Sequence, residues 1–138
     1  IQHTVLFSGG PSDEQAVRQC GGGRMADVVM DATGNASSMI RALEFSVFAG
    51  RVVYVGITRD QLELAHAPVL HRRELTILAS RNALPTDFTR IIDLIQNGTI
   101  DTRPWITHQA NFEEVPKVFD SWLDPESGVI KAIVRVDQ

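Results

Sequence analysis

The sequence predicts an α/β fold built on a mostly parallel sheet. Three observations carry that prediction. Strand-like and helix-like segments alternate along the chain, first as strand, helix, strand, helix, strand and then as less regular strand–helix units. The candidate strands contain short unbroken apolar runs, such as Val28-Val29-Met30, which suit parallel strands covered on both faces. Each candidate strand gives way to small or polar residues, as expected at a strand-to-helix turn. The bulk composition agrees. With 138 residues, 43% apolar and 22% charged, the chain is one domain's worth of ordinary globular sequence and not a disordered one.

The elements follow in order. Residues 3–7, rich in Thr, Val and Phe, read as a strand, and Ser8-Gly9-Gly10-Pro11 as a loop. Ser12 reads as an N-cap ahead of the acidic turn Asp13-Glu14, in a helix that ends at Cys20 before three glycines. Residues 26–32 read as a compact strand turned by Thr33-Gly34-Asn35. Residues 36–48 give a helix with Ala36, Met39, Ile40, Leu43 and Val47 on one side, stopped by Gly50. Residues 51–57 form a second buried-type strand, 61–64 a short extended piece, 68–72 a short helix and 75–79 a third apolar strand. Phe88, Ile91, Ile92 and Ile95 mark an amphipathic helix closed by Asn97-Gly98. Residues 103–108 are extended. Asn111 and Glu114 make a capping box for a helix that turns Val115, Val118, Phe119 and Trp122 inward, with Pro116 tolerated in its first turn. Residues 129–136 close the chain as a strand.

Composition excludes several functions. A net charge of −4 and a pI near 5.5 do not suit non-specific binding to nucleic acid. No apolar run approaches the roughly 18 residues of a membrane-spanning helix. One cysteine, Cys20, allows neither an intrachain disulfide nor a cysteine zinc cluster, which fits a reducing, cytoplasmic setting. The first residue is Ile1, so the expectation is a piece of a longer polypeptide.

Chemistry is expected at the carboxyl ends of the strands, where ligands of open parallel sheets bind. Those ends are Thr33-Gly34-Asn35, Gly56-Ile57 and Ser80-Arg81-Asn82, with Ser8-Gly9-Gly10 after the first segment. The last loop matches no phosphate-binding glycine motif, and Asp13 and Glu14 would repel a phosphate, so it reads as a connection. Val28-Val29-Met30-Asp31 also resembles the phospho-acceptor strand of a receiver domain, the main non-enzyme alternative, but no acidic pair follows the first segment. His66 and His71 lie five residues apart, which an α-helix does not bring to one face. Cys20 has no activating neighbour, Trp105 and Trp122 read as core or interface anchors, and His71-Arg72-Arg73 reads as a solvated helix end.

Taken together, Ala26-Asp27-Val28-Val29-Met30-Asp31-Ala32-Thr33-Gly34-Asn35, Gly50-Arg51-Val52-Val53-Tyr54-Val55-Gly56, Glu74-Leu75-Thr76-Ile77-Leu78-Ala79-Ser80 and Val129-Ile130-Lys131-Ala132-Ile133-Val134 resemble the second half of a medium-chain, zinc-type alcohol dehydrogenase. The resemblance covers nearly the whole chain, and Ser80-Arg81-Asn82-Ala83 with Asp87-Phe88 resembles the polyol and sugar-acid dehydrogenases. It implies an incomplete Rossmann-type, doubly wound, three-layer α/β/α sheet across residues 1–138, with residues 3–7 as the third strand of the order 3-2-1-4-5-6. The catalytic zinc domain, the glycine-rich fingerprint and the first two strands are not in this sequence.

The resemblance further implies hydride transfer between a secondary alcohol and NAD or NADP in the intact parent, with zinc in the separate catalytic domain and this chain alone inactive. A zinc-free quinone reductase of the same superfamily is the competing enzyme. By the same resemblance Thr33 and Gly34 would line the cofactor. Val55, Gly56 and Ile57 would offer backbone groups to its carboxamide. Ser80, Arg81 and Asn82 would flank the nicotinamide, and Lys131 would meet a phosphate. No residue of this chain is expected to be catalytic or to ligate metal. A homodimer is expected through the sheet edge at residues 61–64 and 74–79, whose apolar side chains fall on both faces.

Overall fold

The computed structural model describes residues 2–136, which fall into two compact units, Ile1–Asn82 and Ala83–Gln138. In the first unit, α1 (Ser12–Cys20), β1 (Ala26–Asp31), α2 (Ala36–Arg41), β2 (Ser46–Tyr54) and β3 (Thr76–Ala79) build a three-stranded sheet in the order β1-β2-β3. Both pairings are parallel, and Asp31, Tyr54 and Ala79 sit side by side at the carboxyl edge. The α/β class with a parallel sheet is the one the sequence predicts.

The core lies on one face of that sheet. Met39 and Ala42, Leu43, Val52 and Tyr54 are buried there, with Val29, Leu62, Leu64, Val69, Leu70, Leu75 and Ile77 packed around them. The Tyr54 hydroxyl donates to the Met39 carbonyl at 2.9 Å, so the one polar atom carried into this cluster is bonded. Burial pushes the Tyr54 phenol pKa up, and the nearby Asp31 charge adds to it. The cover expected on both faces is not found over β1. Val28 and Met30 point to the other face, and Met30 is 70% exposed.

Several local expectations are corrected. Residues 3–7 form no strand. A strand needs a hydrogen-bonding neighbour, and the sheet order places none beside them. Phe7 instead stacks on Phe45, ring centroids 5.0 Å apart. The helix expected over residues 36–48 is shorter. Its last turn tightens to a 3₁₀ helix at Ala42–Phe45, and Val47 and Phe48 belong to β2. β2 then bulges: Ala26 pairs with Ser46 but Val28 pairs with Arg51. Gly50 is required in that bulge, since a Cβ there would lie 2.1 Å from Ser46 Oγ and 2.8 Å from the Val47 carbonyl oxygen. β2 stops at Tyr54 and not at residue 57, residues 61–64 form no strand, and β3 begins at Thr76. Pro11, and not Ser12, holds the cap position of α1.

The second unit holds α3 (Pro85–Gln96), β4 (Ile106–Asn111), α4 (Val115–Trp122) and β5 (Lys131–Arg135), with β4 and β5 paired in parallel. The Asn111–Glu114 box is present: Glu114 Oε2 accepts from the Asn111 amide at 2.8 Å. It caps a 3₁₀ turn, Phe112–Glu114, that leads into α4. A second 3₁₀ turn, Arg103–Trp105, takes the place of the extended start expected for residues 103–108. The closing strand is shorter than residues 129–136. Phe119 is exposed, against the inward position expected of it, and so are Phe88, Ile91, Ile92 and Ile95 on α3.

Candidate functional site

The carboxyl ends of the parallel strands bring three predicted segments to one edge. Thr33-Gly34 follows β1, Val55-Gly56-Ile57 follows β2, and Ser80 extends the β2–β3 pairing through its amide, which donates to the Tyr54 carbonyl at 2.9 Å. The first two segments touch backbone to backbone. Gly34 adopts φ +67°, and a Cβ on it would stand 2.7 Å from the Ile57 carbonyl oxygen. A Cβ on Gly56 would stand 2.3 Å from the Gly34 nitrogen. Glycine is needed at both positions for the turns to meet.

Not all the backbone groups of this edge are free. The Val55 and Gly56 amides both donate to the Asp31 carbonyl, at 2.8 and 3.0 Å. The Ile57 amide and the Val55 and Gly56 carbonyls have no hydrogen-bond partner among the described residues, and the Ile57 side chain is 85% exposed. The edge therefore offers a ligand one donor, two acceptors and an apolar side chain. Ser80, Arg81 and Asn82 are exposed beside it, Asn82 at φ 55°. Lys131 belongs to the second unit, exposed at the start of β5 and opposite Ile106.

The Ser8-Gly9-Gly10 loop is not a phosphate cradle, and the reason is Asp13. Its carboxylate accepts from the Ser8 amide at 2.8 Å, the Gly9 amide at 2.9 Å and the Ser8 hydroxyl at 2.9 Å. The chain's own anion thus fills the place an external one would take. Arg41 completes the arrangement, donating to Asp13 Oδ2 at 2.8 Å and to the Gly10 carbonyl at 3.1 Å while its guanidinium lies over the Phe45 ring. The Ser8 amide first, against the penalty of burial, and then Arg41, the Ser8 hydroxyl and the Gly9 amide hold the Asp13 carboxyl at about 2, below its ordinary 3.8. Since the folded value is the lower one, this contribution to stability is complete above about pH 4 and fades as the pH falls toward 2. Acid unfolding of the chain should therefore steepen between pH 4 and 2, and Asp13→Asn should flatten that part of a circular-dichroism titration. An unchanged profile would contradict the assignment.

Sequence spacing missed two arrangements. The segment His66–His71 is a π-helix, and its wider turn, closed by i to i+5 hydrogen bonds, leaves the two imidazoles 5.9 Å apart between ring centroids. An α-helical period would have kept them apart. Asp31, weighed in the sequence only as a phospho-acceptor, is buried and bonded at the strand edge, which does not suit an exposed acceptor. Among the described residues there is no cluster of three or more His, Cys, Asp or Glu side chains that could hold a metal ion. No helix of the described residues is long and apolar enough to cross a membrane.

The zinc-binding dehydrogenase family profile matches residues 2–97. L-galactonate-5-dehydrogenase of Escherichia coli K12 is 31% identical over 113 residues, which are 82% of this chain and 33% of that protein. L-arabinitol 4-dehydrogenase of Aureobasidium melanogenum is 28% identical over 96% of this chain and 36% of its own length. Among solved structures, a putative zinc-binding dehydrogenase from Sinorhizobium meliloti 1021 bound to NADP superposes with a TM-score of 0.80 at 25% identity, covering 96% of this chain and 39% of that one. The chain thus spans about a third of the length of the curated relatives it matches. With most of its length matched by that profile and its parallel strand ends arranged as described, the chain belongs to the zinc-binding, medium-chain alcohol dehydrogenase family and corresponds to the C-terminal part of its nucleotide-binding region.

Proposed function

We propose that this chain is the later part of the coenzyme-binding domain of an enzyme that oxidises a secondary alcohol, a polyol or sugar acid, with NAD or NADP. The observation that carries the reading is the single edge where Thr33-Gly34, Val55-Gly56-Ile57 and Ser80 converge. Relatives named as L-galactonate, L-arabinitol and sorbitol dehydrogenases support the substrate class. Thr33 and Gly34 line the nicotinamide side. The Ile57 amide and the Val55 and Gly56 carbonyls bond the carboxamide, and Ser80, Arg81 and Asn82 flank the ring. Lys131 meets the pyrophosphate as a point charge, without the bidentate fork an arginine would bring. The zinc domain and the first two strands of the sheet belong to other parts of the polypeptide, and the enzyme works in the cytoplasm.

The test compares this chain with the complete polypeptide. Alone, the 138 residues should show no turnover of polyols or sugar acids and only feeble calorimetric binding of NAD(P). Sub-micromolar binding by the chain alone would contradict the reading. In the complete polypeptide, turnover should require NAD or NADP. There Lys131→Ala should weaken coenzyme binding by about 1.5–3 kcal/mol, the range for a hydrogen bond to a charged group, while alcohol affinity holds at saturating coenzyme.

The proposal includes a homodimer. Among the described residues β3 ends the three-stranded sheet, and Leu62 and Leu64 pack against the same core cluster, which supports pairing of this edge with a second chain. Sedimentation should give a dimer mass, and a monomer at high concentration would remove this part of the proposal.

A further inference from the structure

Asp31 is the last residue of β1 and is only 5% exposed. A buried carboxylate is costly unless its oxygens are bonded, and here both are. Oδ1 accepts from the Thr33 amide at 3.0 Å and the Thr33 hydroxyl at 2.9 Å, and Oδ2 accepts from the Ser38 hydroxyl at 2.6 Å. Burial pushes this carboxyl's pKa up. The bonds from Ser38, Thr33 and the Gly34 amide outweigh that and leave it below the ordinary value, so the group is a carboxylate.

The main chain of the same residue does a second job. Its carbonyl accepts from the Val55 and Gly56 amides. One residue therefore grips both turns of the candidate site, the first by its side chain and the second by its backbone. Thr33 Oγ1 passes the constraint on by accepting from the Asn35 amide at 3.1 Å, which ties the first turn to the start of α2. Because Gly34 and Gly56 meet with no room for a Cβ, a shift of either turn moves the other.

We propose that Asp31 is a positioning residue, whose carboxylate sets the placement of the Thr33-Gly34 turn against Val55-Gly56-Ile57 and so the shape of the nicotinamide wall. This rests on the reading of those turns as the coenzyme wall. The carboxylate acts through Thr33 and does not itself touch the ligand. Asp31→Ala frees Thr33 while leaving the backbone carbonyl in place. Asp31→Asn retains an oxygen toward Thr33, since the Ser38 hydroxyl can rotate to accept from the new amide.

The test is a titration of the 138-residue chain with NAD⁺ at millimolar concentrations, followed by amide chemical shifts. In the native chain the shifts should cluster at Thr33, Gly34, Gly56 and Ile57. Asp31→Ala, which removes every bond to the carboxylate, should weaken that response on the order of tenfold, comparable to one hydrogen bond to a charged group, and Asp31→Asn should restore most of it. Ser38→Ala, which removes one bond to the carboxylate from outside the wall, should weaken it less but in the same direction, and it serves if Asp31→Ala does not fold. A core variant, Leu43→Ala, should lower the melting temperature and leave the NAD⁺ response of the folded chain unchanged, which separates positioning from stability. Native-like NAD⁺ responses in Asp31→Ala or, if that variant does not fold, in Ser38→Ala would overturn the role of Asp31 alone. No response at these amides in the native chain would overturn the wall reading and the inference with it.

Discussion

Gly56→Ala should damage the site and the fold together. The new Cβ would lie 2.3 Å from the Gly34 nitrogen, 3.0 Å from Gly34 Cα and 3.1 Å from the Ala32 carbonyl carbon. All three are backbone atoms, so no side-chain rotation relieves the clash. The two turns must part, stretching the bonds from the Val55 and Gly56 amides to the Asp31 carbonyl. Overpacking of this kind costs typically about 1–3 kcal/mol, and the expected loss is in the upper part of that range. A urea titration should show the midpoint falling, and the NAD⁺ response at Thr33 and Gly34 should fall with it. An unchanged midpoint would mean that the turns are not in backbone contact.

Leu43→Ala should cost more stability than any other single truncation in the first unit. Leu43 is 1% exposed and packs with Met39, Ala42, Val52 and Tyr54, on the face of the sheet that carries the core. Removing a buried leucine side chain costs about 2–5 kcal/mol, the spread depending on how far the surroundings collapse. Domains of this size hold only about 5–15 kcal/mol in all, so much of the chain's stability should go. The measurement is the free energy of unfolding from urea curves of the variant and the native chain. A loss under about 1 kcal/mol would show that this cluster is not the core.

The parts of the fold that were legible in the sequence are those set by local chemistry. The unbroken run Val28-Val29-Met30 reads as a strand because its apolar, β-favouring side chains leave little choice, and Asn111 with Glu114 reads as a cap because the box bonds within four residues. The segments that misled depend on distant partners. Residues 3–7 carry strand-like side chains, but a strand exists only where another strand pairs with it. The helical spacing of Ala36 to Val47 ran past the true end of α2 because Leu43 and Val47 are apolar in either conformation, and the bulge at Gly50 has no signature beyond one glycine.

The candidate site was legible in its positions and not in its couplings. Strand-end turns are found from composition alone, so Thr33-Gly34, Gly56-Ile57 and Ser80 could be named. That the Val55 and Gly56 amides are already engaged, and that Asp31 engages them, is a matter of register between β1 and β2. The same holds for Asp13. Its repulsion of a phosphate was readable from its place in the first turn of α1, whereas its occupation of the Ser8 and Gly9 amides was not.

A crystal structure of the complete polypeptide with bound NADH tests the central claim most directly. The account predicts the nicotinamide carboxamide within hydrogen-bond distance of the Ile57 amide and of the Val55 or Gly56 carbonyl, with the ring beside Thr33-Gly34. A dinucleotide bound away from the ends of β1, β2 and β3, with these turns facing solvent, would contradict it.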